Sequence, residues 1–495
     1  MVCQKRDLTL LISSWHIGVT FFSVVIEINF ASMATVNRPP DLSRPVFSHE
    51  IESTMAIHPR RTFLKQNLAL GTSTLIAATP KVAASSRAAD KTIKVGFIGP
   101  GGMGTNHLQL LLKRKDVSID YICEPDATRL ANAIKLVQAA KGKEPKGVKD
   151  MRQVLDDKSI DAVWIATPDH WHGPATILAC DAGKHVYVEK PCSHNIREGK
   201  LMIEAARRNK KIVQVGTQSR STAHVQEAMK KISEGAIGEV LVSKAWNSQL
   251  RRDSGKQKAS NPPDNLDYDL WIGPAPMRPY QSNLLPGIWR WWFDFGTGDA
   301  GNDGVHEIDI ARWGLGVNTH PSTIAALGGK SFFNDDQQFP DTMYCAFEYP
   351  GASKEGKAKQ LIYEHRIWSP YIQEGFENGN AFYGTKGMII LGKSAGWQLF
   401  GPKNKLIESG KGSPDVAAHH QNFIDCIHSG KLPNGDIAEG HLSASLAHLA
   451  NIGCRLNKSF SFDPVMEKVT DLPQADKLVR RTYREGGHWA IPKGV

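Results

Sequence analysis

The chain is poor in cysteine. Its 495 residues hold seven, Cys3, Cys123, Cys180, Cys192, Cys345, Cys426 and Cys454, with no CxxC pair and no His/Cys cluster at zinc spacing. Neither a disulfide scaffold nor a structural metal is therefore expected. A block of charge of one sign is also missing: 60 Lys and Arg face 50 Asp and Glu, a formal excess of +10 spread over the whole length, so nucleic acid is not implied as a partner. No internal repeat or low-complexity segment follows Lys91. The hydrophobic share of 41%, together with 44 glycines, matches a soluble globular protein and excludes a disordered, collagen-like or polytopic membrane chain. At this length two or three domains are expected.

Residues 1–90 lack the strand and helix alternation found later and read as an N-terminal extension. Leu8 to Ile28 is apolar but carries His16 and Glu27, and a polar, proline-containing stretch follows it. Two readings stay open, a signal anchor or a true start at Met55. From His58 the run His-Pro-Arg60-Arg61-Thr-Phe63-Leu64-Lys resembles a twin-arginine export signal, with a mildly apolar segment from Asn67 to Thr79 and small residues at Val82-Ala83-Ala84. The expectation is export by that route to the periplasm or another extracytoplasmic place, with no stable membrane insertion after processing.

At Lys91 the pattern changes. The β-branched run Ile93 to Ile98 is followed by Gly99-Pro-Gly101-Gly102-Met103-Gly104, a strand, glycine turn and helix. In this GxGxxG the first glycine turns the chain, the second lets backbone approach a pyrophosphate and the third permits close helix packing. A second apolar run, Val117 to Cys123, ends at Glu124, 20 residues past Gly104, where a ribose-binding acid is expected. Glu124 would accept from ribose hydroxyls and repel a 2′-phosphate, so NAD is the expected cofactor; Arg129 keeps NADP open. Further strands at Asp161 to Ala166, His185 to Glu189 and Ile212 to Gln218, alternating with helices from about Gly173 and Ile196, predict a doubly wound parallel sheet over 91–218.

The strand ends carry polar groups at the edge where such sheets bind ligands. One ends at Thr167-Pro168-Asp169-His170-Trp171-His172 and the next at Glu189-Lys190-Pro191. Thr167, Pro168, His172, Glu189 and Lys190 are expected at the nicotinamide end. Lys190 can bond a substrate hydroxyl and move its proton if burial lowers its pKa; the plain alternative is a lysine ion-paired to Glu189. Further on, Trp289-Arg290-Trp291-Trp292-Phe293 offers rings that can stack on a sugar and a guanidinium for its hydroxyls, or else a core or oligomer-contact segment. Tyr268 to Pro274 reads as a structural corner without chemistry. His419-His420 diverge by about 100° on a helix and no acidic cluster accompanies them, so a solvated helix start is expected.

GPGGMG, TPDHWH, EKP and GNDGVHEIDIARW, in that order, resemble the Gfo/Idh/MocA family of sugar and polyol oxidoreductases from Lys91 to the C-terminus. The resemblance implies an N-terminal Rossmann domain and, over 219–495, a substrate-binding and oligomerisation α/β domain. That second domain has a large open, mostly antiparallel sheet, with C-terminal helices returning to the first domain. It implies that Lys190 is the catalytic or substrate-positioning lysine, that Pro191 follows a cis bond, that His306 acts in acid/base chemistry, and that the protein is a homodimer or tetramer. Where many members have an Asp four residues before that histidine, this chain has Asn302, with Asp303 one residue on. Asn302 can bond a hydroxyl but cannot transfer a proton. Asp309, three residues past His306, could orient it or contact substrate, or be a surface acid.

The function expected from these residues is an exported, NAD-dependent oxidoreductase acting on a CH–OH group of a sugar, polyol or glycoside. Outside the cytoplasm no NAD pool reoxidises a product, so the cofactor should be tightly held and the cycle redox-neutral. One such cycle couples two sugars. Another is the oxidation, elimination, hydration and reduction sequence of the NAD-dependent α-N-acetylgalactosaminidases. A non-catalytic sugar or nucleotide sensor is the remaining alternative.

Overall fold

The computed structural model describes residues 92–495. The apolar stretch from Leu8, the Met55 start and the twin-arginine segment lie outside the described residues. Among these residues no helix is long and apolar enough to cross a membrane.

Six short strands form the first sheet: β1 (Ile93–Ile98), β2 (Val117–Cys123), β3 (Lys146–Val148), β4 (Ala162–Ile165), β5 (His185–Val188) and β6 (Val213–Val215), in the order β3-β2-β1-β4-β5-β6 with every pair parallel. The crossovers are α1 (Gly102–Leu112), α2 (Ala127–Lys141), α3 (Arg152–Asp156), α4 (Asp169–Asp181) and α5 (Ile196–Arg208). Val95, Phe97, Trp164, Tyr187 and Val188 are fully buried because helices cover both faces, the reason these strands read as apolar runs rather than alternating ones. The strand order reverses between β1 and β4, so their carboxyl ends diverge and leave the crevice in which such sheets bind ligands.

The second sheet has ten strands: β7 (Val240–Asn247), β8 (Thr323–Gly329), β9 (Thr342–Tyr349), β10 (Lys359–Arg366), β11 (Asn378–Gly384), β12 (Met388–Gly392), β13 (Gly396–Gly401), β14 (Lys405–Lys411), β15 (Phe460–Asp463) and β16 (Lys468–Val469). All its pairs are antiparallel except β7 with β10. This is the mixed, mostly antiparallel sheet expected of the second domain. Between the sheets and after them come α6 (Ala223–Ser233), α7 (Tyr268–Ile272), α8 (Val305–Leu315), α9 (Val416–Ser429) and α10 (Ile437–Leu456).

Residues of α8 (Ile308, Ala311, Leu315) and α10 (Leu446, Leu449, Ala450) pack with Leu361, Tyr363 and Phe382 of the second sheet in one core. The opposite sheet face leaves Leu327, Tyr344 and Tyr383 exposed, the first two directly opposite each other in register. Ile437 and Ala444, earlier on α10, belong instead to a core under the first sheet, and Phe423 of α9 packs edge-on against Trp164. α9 and the first turns of α10 thus pack on the first sheet.

Two local expectations change. α4 begins at Asp169, not near Gly173, because Pro168 fixes the turn into it and Pro174 falls within the helix without breaking it. His419 and His420 are buried, not solvated: one ring bonds the Val215 carbonyl at 2.9 Å and the other the ring of His107 at 2.8 Å. The face of α9 that carries them lies on the first sheet, and local pattern could not show which face that would be.

Candidate active site

The glycine turn is built as the spacing predicts. Gly99 has φ +83, and a Cβ there would lie 2.8 Å from the backbone of Ala166, so no other residue suits the turn. At Gly104 a Cβ would come within 2.1 Å of the Gly99 carbonyl, and the close seating of α1 on the turn depends on its absence. Together they bring Gly101, Gly102 and Met103 to the wall of a cavity of about 340 Å³.

Across the cavity, Glu124 stands at the tip of β2. Its carboxylate accepts from Asp126 N at 3.1 Å, while Asp126 caps α2 by accepting from Thr128 N and Arg129 N. Glu124 is only 7% exposed, and burial pushes its pKa up to about 7 against the pull of the Asp126 amide and Arg129. Such a carboxylate has acceptor capacity to spare and suits a pair of ribose hydroxyls. Glycine cradle, under-bonded acid and cavity together fit an adenine dinucleotide.

If Glu124 meets the ribose as its position at the tip of β2 predicts, discrimination against a 2′-phosphate should be strongest above about pH 7, where the carboxylate is ionised. The preference for NAD over NADP should shrink below that as it protonates. Glu124→Gln should lower the preference about tenfold at pH 8.5, an order of magnitude set by the loss of hydrogen bonds to a charged acceptor, and should flatten its pH dependence. The ratio of kcat/KM for the two cofactors at pH 6 and 8.5 measures both effects.

The cavity continues along Thr167, Pro168, Asp169, His172, Glu189 and Lys190 to Arg290 and Asn302. Because α4 starts at Asp169, the polar cluster after β4 sits on a helical first turn. Thr297 donates to Asp169 at 2.6 Å, and His172 spans the carbonyls of Thr167 and Pro191. The Lys190-Pro191 bond is cis, as the resemblance implied. Glu189 turns away from Lys190 Nζ: its Oε1 meets His107 Nε2 at 2.8 Å. Although burial raises its pKa, that bond and the charges of His107 and Lys190 bring Glu189 down to about 2.

Lys190 Nζ instead donates to the Asn302 carbonyl. Burial lowers its pKa below the usual lysine value, opposed by Glu189 and Asp303. The plain reading, a lysine simply paired to Glu189, does not describe this geometry.

Asn302 lies in a π-helical turn, Ala300–Gly304, that runs directly into α8. Such turns rotate side chains relative to an α-helix and cluster at functional sites. Asn302 faces the cavity, its Oδ1 accepting from Arg290 Nε at 2.8 Å and its Nδ2 donating to Asp299 at 3.1 Å. Asp303 points elsewhere, to Lys393 at 3.0 Å, Asn378 at 3.1 Å and Arg251 at 3.4 Å. Burial would raise its pKa, but Lys393, His306 and Arg251 hold it well below the carboxylate range. Asp303 is a fixed anion rather than a proton carrier, and it is not on the cavity wall.

His306 also stands behind the wall. It is 6% exposed, its Nδ1 has no hydrogen-bond partner, and burial, aided by Lys393 and Lys190, lowers its pKa to about 3. It is a neutral imidazole in electrical contact with Lys190.

Two expected substrate contacts are corrected. Asp309 is fully buried and takes three hydrogen bonds from Arg220 and one from Ser443, so it neither orients His306 nor reaches a ligand; it is not a surface acid either. Trp291 is buried away from the cavity, whereas Trp289 lines it, because the one-turn 3-10 helix Ile288–Trp291 puts residues two apart on different sides. Arg290 lies over the Trp289 ring at 4.4 Å.

Residues that sequence reasoning left out complete the wall: Lys149, Asp150 and Met151 after β3, Leu270 and Trp271 of α7, and Trp489. β3 has three residues, too few to announce itself by pattern. Tyr268 to Pro274, read as a corner without chemistry, supplies a cavity-lining ring.

Comparison with known proteins places this architecture. Residues 93–217 match the family description "Oxidoreductase family, NAD-binding Rossmann fold", and residues 222–335 and 401–491 match "Oxidoreductase family, C-terminal alpha/beta domain". An inositol 2-dehydrogenase of Corynebacterium glutamicum is 29% identical over 367 residues, 72% of this chain and 91% of that protein. A levoglucosan dehydrogenase of Pseudarthrobacter phenanthrenivorans is 28% identical over 239 residues, 46% of this chain and 52% of that protein. An alpha-N-acetylgalactosaminidase of Shewanella oneidensis is 28% identical over 161 residues, 31% of this chain and 35% of that protein. In fold, the chain is similar to a levoglucosan dehydrogenase solved with NADH and levoglucosan, with a TM-score of 0.56 at 21% identity over 74% of this chain and 99% of that one. The family matches cover well over half of the residues, including the glycine turn, Lys190 and the π turn, and the chain belongs to the Gfo/Idh/MocA family of NAD-binding oxidoreductases.

Proposed function

We propose that this protein oxidises a secondary alcohol of a sugar or cyclic polyol, with Lys190 as the group that takes the hydroxyl proton. The observation that carries the proposal is the Lys190 Nζ, buried in the same cavity as the glycine turn and Glu124 and held by the Asn302 carbonyl. Desolvation lowers its pKa, which raises the fraction of neutral amine able to accept a proton near neutral pH. Bound NAD would supply the hydride acceptor. Arg290, anchored by Asn302 Oδ1 and the Gly287 carbonyl and lying over the Trp289 ring, keeps further N–H groups for substrate hydroxyls. Trp271 and Trp289, although largely covered by Tyr268 and Arg290, contribute apolar surface to the cavity wall against which a sugar can pack.

The inositol and levoglucosan dehydrogenases among the relatives support a polyol or anhydrosugar substrate. Export by the twin-arginine route, supported by Arg60-Arg61 and the residues after them, belongs to the same proposal, as does a cofactor that stays bound between turnovers. Pairing of two copies is supported by the exposed Leu327, Tyr344 and Tyr383 on the open sheet face. A second reading, redox-neutral cleavage of a glycoside, is favoured by the similarity to the alpha-N-acetylgalactosaminidase.

A panel of cyclic polyols, anhydrosugars, aldoses and aryl glycosides, assayed for NADH and for ketone product, tests the proposal. Ketone formation with stoichiometric reduction of bound or added NAD is expected. Release of aglycone without net NADH establishes the second reading instead, and absence of turnover across the panel with no nucleotide bound overturns both.

A further inference from the structure

We propose that His320, His441 and Glu467, none of which lines the cofactor cavity, form a binding site for a divalent transition-metal ion of the zinc class. The three come from separate elements: the loop between α8 and β8, the first turns of α10, and the turn between β15 and β16. One ligand atom from each lies within 4.8 Å of the others. The imidazole side chains are 4% and 3% exposed and the Glu467 side chain 14%.

The contacts inside this group are close ion-pair contacts that fall outside hydrogen-bond geometry. Glu467 Oε1 lies 3.6 Å from His320 Nε2, too far for a hydrogen bond. It lies 3.3 Å from His441 Nε2, yet that nitrogen has no hydrogen-bond partner, so the oxygen is off the ring N–H axis. Atoms that share a tetrahedral ion with bonds of about 2.0–2.1 Å stand about 3.3 Å apart and point at the ion rather than at each other. His320 Nδ1, His441 Nδ1 and Glu467 Oε2 also lack partners, an unusual concentration of unmet polar atoms for a buried site. A Cβ on Gly199 of α5 would come within 2.2 Å of His441 Nδ1, so that glycine leaves room for the ring.

Two imidazoles and one carboxylate, with a fourth position for water, suit zinc better than calcium or magnesium, which favour oxygen ligands. Two cations stand near. Lys200 Nζ is 3.9 Å from Glu467 Oε1 on a side chain 32% exposed, free to swing into solvent when an ion takes its place. The Arg312 charge is felt at His320, but its guanidinium is held by Ser443, Val317 O and Glu439. An ion here would clip the β15–β16 turn to α10, the helix that joins the two cores.

The test uses the full chain, stripped with a chelator and titrated with zinc, and separately with cobalt as a coloured probe. About one equivalent is expected to bind, with a rise in thermal midpoint on zinc addition and the visible band of four-coordinate cobalt. Glu467→Gln, which keeps the size of the side chain at a surface turn, should weaken zinc binding by at least about tenfold and abolish the midpoint shift. His441→Ala should do the same, and if that variant does not fold, Glu467→Gln decides alone. A wild-type chain that takes up no stoichiometric zinc, or variants that bind it as the wild type does, overturns the site.

Discussion

Replacing Lys190 by alanine should lower kcat for alcohol oxidation by about 10²–10⁴-fold, the range associated with a positioned acid/base group, while the protein still binds NAD. The cofactor contacts expected of Gly101, Gly102, Met103 and Glu124 do not involve the Lys190 ammonium, so nucleotide content after denaturation should match the wild type. The pH profile gives an independent reading. Burial lowers the Lys190 pKa, so in the wild type kcat should climb with pH on a limb centred below the ordinary lysine value, as the amine loses its proton. Lys190→Arg preserves positive charge but cannot lose it in this range, and should remain slow at every pH. If Lys190→Ala turns over near the wild-type rate, proton transfer belongs to another group. The candidate is then His306, which burial and the neighbouring Lys393 keep neutral without Lys190.

The second large effect is on stability. Asp309→Ala leaves the Arg220 guanidinium, 8% exposed, without the carboxylate that takes three of its hydrogen bonds; Glu439, shared with Arg312, is then its remaining anion. Breaking one side of a buried pair costs about 3–5 kcal/mol. The thermal midpoint should fall by several degrees, with kcat unchanged in the surviving folded protein at low temperature. The reverse pattern, a fall in kcat at an unaltered midpoint, would restore Asp309 as the residue that orients His306.

These two residues mark where the sequence was and was not readable. Lys190 ends a strand whose position is fixed by its neighbours, and a strand end in a doubly wound sheet faces the ligand edge whichever way the rest packs. The glycine turn and Glu124 share that property, since short-range geometry settles all of them. Asp309 lies on a helix buried all round, with Asp309, Glu307, Arg312 and His306 all below a tenth exposed. Spacing tells which residues share a face, but not which face meets the cavity and which meets α10 and the Gln218–Ser221 turn that carries Arg220. The π turn adds to this. A spacing argument assumes about 100° per residue, whereas the wider turn at Ala300–Gly304 gives the cavity to Asn302 and sends Asp303 to Lys393. The metal-ligand cluster was unreadable for a different reason: its members are far apart in sequence and meet only after the second sheet and α10 have packed.

The tail of the chain has a bearing on the order of assembly. Arg481 pairs with Glu198, Tyr483 donates to the same carboxylate, Arg484 pairs with Asp269, and Trp489 stacks over Arg152 while lining the nucleotide cavity. All the other lining residues lie at or before Asn302, so the ribosome delivers the glycine turn, Glu124 and Lys190 long before the ring that closes over them. A nascent first domain can already present its crevice, but it lacks this part of the wall. The full set of lining residues comes together only once the last segment has been released and has folded back.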